Sequence, residues 1–94
     1  MGKIVKCPAG QWTTLINNLA SGMPAHWTLD LKTTAGGAVS GKARESRSFL
    51  PLGLAMSPSG ETELSPSMSF HRYWTNASYR LEICPDKDLE ARFR

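Results

Sequence analysis

Ser67-Met68-Ser69-Phe70-His71-Arg72-Tyr73-Trp74-Thr75-Asn76-Ala77-Ser78-Tyr79-Arg80-Leu81-Glu82-Ile83-Cys84 carries the strongest period in the chain. Met68, Phe70, Arg72 and Trp74 fall on one side, with His71 and Tyr73 on the other. After Thr75-Asn76-Ala77 the alternation resumes, with Tyr79, Leu81 and Ile83 inward and Arg80 and Glu82 outward. A period of two sends alternate side chains to opposite faces of an extended chain, one toward a core and one toward water. Two such runs joined by three turn-forming residues predict a β-hairpin.

The same period recurs upstream. Trp27, Leu29 and Leu31 alternate with Thr28, Asp30 and Lys32, the pattern of a half-buried antiparallel strand. Gly36-Gly37 predicts a turn, with Ala38 to Lys42 returning as the second strand of a hairpin. Lys3 to Cys7 is a short strand stopped by Pro8-Ala9-Gly10. Lys42 to Ser48 is polar and basic, which suggests a loop or an edge. Ser46 to Leu50 and Leu52 to Met56 are short apolar pieces divided by Pro51, and Pro58-Ser59-Gly60 is a further turn signal. Pro66 has no N–H to give a ladder and is excluded from a central strand.

One segment breaks the period. Trp12, Leu15, Ile16, Leu19 and Ala20 recur at helical spacing, and Ser21-Gly22 followed by Pro24 supplies a stop. A short helix is therefore expected near residues 11–20, against the poor helix propensity of Thr13, Thr14, Asn17 and Asn18. The fold class that follows is mainly β: a small antiparallel β-sandwich, jelly-roll-like, or a barrel, carrying that one helix. With 94 residues the expectation is a single domain over residues 1–94 with a thin stability margin. Residues 1–7 and the charged tail 86–94 are read as contact arms, the tail being a strand, a short helix or an extended arm by its pattern.

Eleven Lys and Arg against eight Asp and Glu give a net charge of +3. Six basic and two acidic residues lie in residues 1–60, five basic and six acidic in 61–94. That excess is small for a nucleic-acid binder and mainly aids solubility. No apolar run approaches the roughly 20 residues that cross a bilayer. Lys3 and Lys6 interrupt the N-terminal region before a signal core could form. The expectation is a protein made in the cytoplasm without a signal peptide, with no membrane partner. In that compartment Cys7 and Cys84, each followed by proline, are expected as free thiols.

Several chemistries fall short on spacing. Gly36 to Lys42 fits the first seven positions of a phosphate loop, but Ala43 stands where a hydroxyl must hold magnesium. Cys7, His26, His71 and Cys84 form no paired metal motif. No nucleophile elbow is present, and Glu61 and Glu63 read as solvated charges. The expectation is no enzyme, no metal and no cofactor.

Surface residues remain. Tyr73 and Trp74 are consecutive, so in a strand one of them faces outward and suits a partner. Lys42, Arg44 and Arg47 form the densest basic cluster, and Phe93 and Arg94 end the tail. These seven are the candidate partner-binding residues. Small β-sandwiches with terminal arms recur as building blocks of symmetric shells and fibres, an analogy at the level of the fold. The reading is a non-enzymatic structural or interaction protein, a subunit of a larger assembly such as a phage-type virion, as capsid or decoration component. Its partners would be other protein chains, copies of itself among them; nucleic acid is the less favoured partner. The alternatives are a small binding module for glycan or single-stranded nucleic acid, and a small regulator docked on another protein.

Overall fold

The computed structural model describes residues 3–19, 25–48, 57–71 and 78–94. Eight strands follow in order: β1 Ile4–Cys7, β2 Thr13–Leu19, β3 His26–Thr33, β4 Gly41–Ser48, β5 Ser57–Glu63, β6 Ser67–His71, β7 Ser78–Pro85 and β8 Leu89–Phe93. They make two four-stranded sheets, β1-β8-β3-β6 and β2-β7-β4-β5, and every pairing is antiparallel. β1 pairs with β8, β2 with β7, β3 with β6 and β4 with β5. The second half of the chain thus retraces the first. β8 then also pairs with β3, and β7 with β4, which wraps the folded ribbon into two stacked sheets. This is the jelly-roll form of the β-sandwich.

Period two fills the space between the sheets. Trp27, Leu29, Leu31, Phe70, Leu89, Ala91 and Cys7 are buried from the first sheet, and Tyr79, Leu81, Ile83 and Ala43 from the second. Trp27 stacks on Phe70 at 5.2 Å and meets Tyr79 edge-on at 5.9 Å, a geometry that aromatic quadrupoles favour. The Tyr79 hydroxyl donates to Glu45 Oε2 at 2.6 Å, which satisfies the one polar atom that this buried ring brings.

At one end the connections are tied together by the backbone. Gly10 N–H donates to Pro85 O at 2.8 Å, Thr34 N–H to Asp88 O at 2.9 Å and Asp86 N–H to Ser40 O at 3.0 Å. The Asp88 carboxylate accepts from Ala9 N–H at 2.8 Å. Gly36 and Gly37 turn the chain with φ of 87° and 101°, which L side chains seldom adopt. Residues 36–40 therefore lead out of a turn into β4, which already holds Gly41 and Lys42.

Six expectations are corrected. Residues 13–19 form a strand and no helix occurs among the described residues. The helical spacing arose from a β-bulge: Thr14 pairs with Glu82 and Ile16 with Leu81, leaving Leu15 as an extra residue. Leu15 and Ile16 both pack against the core, and that adjacency imitates a helical face. Neither expected hairpin forms, because β3 and β4 lie in different sheets and so do β6 and β7. Lys42 to Ser48 belongs to β4, an interior strand between β7 and β5. Pro58-Ser59-Gly60 lies within β5, an edge strand with a register shift; there a proline and a bulge are tolerated. The tail supplies β8, an interior strand whose Leu89 and Ala91 are 1% exposed. The apolar pieces within 49–56 and the turn at 75–77 lie outside the described residues.

Candidate interaction surfaces

With the interior filled by side chains, the two outer sheet faces present charged and aromatic groups of the described residues to solvent. Ala43 points inward on β4, so Lys42 and Arg44 point outward, opposite Cys84 and Glu82 of β7. Arg44 donates to Glu82 Oε1 from Nη2 at 3.1 Å and from Nε at 3.3 Å. Thr14 Oγ1 donates to the other oxygen of Glu82 at 3.5 Å. Trp12, just ahead of β2, lies over the Arg44 guanidinium at 4.0 Å, a cation–π contact. Its indole remains 38% exposed. On the far side Lys42 pairs with Glu61 at 3.8 Å. Lys42, Arg44 and Arg80 face outward with Glu61, Glu63 and Glu82, so among the described residues cations and anions on this face are equal in number.

The outer face of the first sheet is different. Glu90 sits between Lys6 and Lys32, and Asp30 stands opposite Arg92. Arg94 grips Asp30 through Nε at 2.9 Å and Nη2 at 3.3 Å. Each carboxylate is thus flanked by two cations. Next along, register sets His26 opposite His71, and their rings stack at 4.1 Å with 14° between planes.

The seven candidate residues separate. Lys42 and Arg44 share the outer face of the second sheet, while Arg47, three residues beyond Arg44, pairs with Tyr79 on the opposite parity. Phe93 packs against the core, and Arg94 lies on the other sheet, bound to Asp30. Tyr73 and Trp74 lie outside the described residues. Trp12, read from sequence as part of a helical core face, is on the surface. The Glu82 anchor and the histidine stack were missed as well. The second had a signal: His26-Trp27 read forward and Phe70-His71 read backward each give a histidine and then an aromatic ring, as antiparallel neighbours can.

Cys7 and Cys84 are free thiols, Cys7 in the core and Cys84 on the opposite side of β7 from Ile83. Burial pushes the Cys7 thiol above the usual thiol range, against a weaker opposing hydrogen bond with Thr13. Among the described residues no three His, Cys, Asp or Glu side chains gather closely enough to hold a metal ion. No protein-family model, no curated protein and no solved structure matches this chain.

Proposed function

We propose that the chain is a non-enzymatic subunit of a larger assembly, a capsid or decoration component of a phage-type virion. The observation that carries this reading is the strand order β1-β8-β3-β6 over β2-β7-β4-β5, an architecture recurrent in capsid and lectin domains. Its support is fold-level analogy, strengthened by a core filled with Tyr79, Leu29, Leu81, Ile83 and Leu89. A slab of this kind acts through its faces and edges.

The test is amide hydrogen exchange on the chain in its native source, compared with the same chain released and refolded alone. Outward-facing amides of β1, β2, β5 and β6 have no strand beyond them among the described residues and exchange quickly unless a neighbour covers them. Slower exchange along at least one of these edges or on an outer face in the native material is expected. Identical exchange in both states would refute the assembly reading.

A further inference from the structure

We propose that the outer face of the β2-β7-β4-β5 sheet binds an uncharged glycan, stacked on Trp12. This goes beyond the assembly reading and does not depend on it. Trp12 and Ile4 are the large apolar residues left exposed among the described ones. Ile4 is an aliphatic group at a strand edge, but Trp12 is fixed in place. Its ring rests on Arg44 at 4.0 Å, Arg44 is held by Glu82 at 3.1 Å, and Glu82 by Thr14 at 3.5 Å. An exposed indole already held flat loses little freedom when a ligand settles on it.

The ligand class follows from two further properties of the face. The C–H-bearing side of a pyranose is a flat apolar patch ringed by hydroxyls, matching an indole surrounded by hydrogen-bonding groups. Thr14 and Asn17 of β2 are exposed on the strand that follows Trp12, and the Lys42–Glu61 pair stands across the sheet. Charge then selects among aromatic-stacking ligands. With three cations against three anions among the described residues, the face gives a phosphate backbone no net attraction, and a polyanion would meet Glu61 and Glu63. The other sheet, with four cations and two anions among the described residues, is the one such a ligand would choose. A neutral oligosaccharide is indifferent to that balance.

The experiment presents the full chain to an array of neutral, sialylated and sulfated glycans, with a poly-dT oligonucleotide alongside. Wild type, Trp12→Ala and Trp12→Tyr are compared. Wild type is expected to retain at least one neutral glycan, with affinity unchanged by added salt. Trp12→Ala should weaken it by at least about tenfold, as for a central aromatic anchor, and Trp12→Tyr should restore most of the loss. Because Trp12 precedes β2 and is partly exposed, its variants should fold, and their melting curves check this. As a second readout independent of any variant, the bound neutral glycan should shift the Trp12 indole N–H resonance and leave that of buried Trp27 in place. The proposal is overturned if no neutral glycan is retained, if Trp12→Ala binds as well as wild type, or if the shifts bypass Trp12. It is equally overturned if only acidic glycans or the oligonucleotide bind, with affinity falling steeply as salt rises.

Discussion

Gly41 shows how little room this small fold leaves at the residue scale. Its φ is 134°, and a Cβ there would meet the Cys84 carbonyl oxygen and stand 2.6 Å from Pro85 Cα. Both neighbours are backbone of β7 and cannot swing aside. Gly41→Ala is therefore expected to destabilise by about 2–4 kcal/mol, combining backbone strain with overpacking, as read from urea unfolding. A loss below about half a kcal/mol, the ordinary surface-substitution range, would contradict this close approach of β4 to β7. Cys7 gives a second prediction. Its thiol is buried and held protonated above the usual range, so in the folded chain iodoacetamide should modify Cys84 well before Cys7. The unfolded chain gives up that thiol proton at lower pH than the folded one. Stability should thus be unaffected by Cys7 below the ordinary thiol range and fall as pH rises through it. Equal alkylation of the two thiols, or a Cys7→Ala variant with the same alkaline decline, would count against this account.

Elements were legible where one period dominated. The alternation of β3 and β7 picks out their buried apolar residues, Trp27, Leu29 and Leu31 with Tyr79, Leu81 and Ile83; Glu82 is also buried, beneath its bonds to Arg44 and Thr14. β2 misled because its bulge at Leu15 inserts one residue into the period, and local spacing alone cannot separate that from a helical turn. The β-branched and Asn-rich composition of Thr13 to Asn18 was the better guide. β4 hid for another reason. Lys42, Arg44, Glu45 and Arg47 have no apolar stripe, yet Arg44 is neutralised by Glu82 and Glu45 bonds to Tyr79, so polar residues occupy an interior strand. β8 carries a prediction at this scale. It lies between β1 and β3, so deleting residues 86–94 removes an interior strand and uncovers Cys7, Leu29 and Leu31. The truncated chain should lose its cooperative melt and its dispersed proton spectrum. A truncation that stays folded would mean that residues 86–94 are an appendage and not part of the sheet.

At the scale of the whole molecule, the sandwich class was readable from strand number and punctuation, but the topology was not. Sequence proximity suggested that β6 should pair with β7 and β3 with β4, whereas pairing joins β3 to β6 and β1 to β8. Nothing local encodes that choice; it is made by which buried faces fill one another. The candidate site was legible in part. Lys42 and Arg44 were picked out as a basic cluster, but their partners Glu61 and Glu82 and the overlying Trp12 come from strands distant in sequence. What emerges is a slab with one charge-balanced face bearing an exposed indole and one face with excess cations. In the assembly reading we propose, such a molecule acts through contact with neighbouring chains. The most direct test of that claim is the mass of the species in which the chain resides in its native source, by sizing with light scattering and mass spectrometry of co-eluting chains. Co-elution in a particle of megadalton size, in many copies, is the predicted result. A free 10.3 kDa monomer throughout the extract would contradict it.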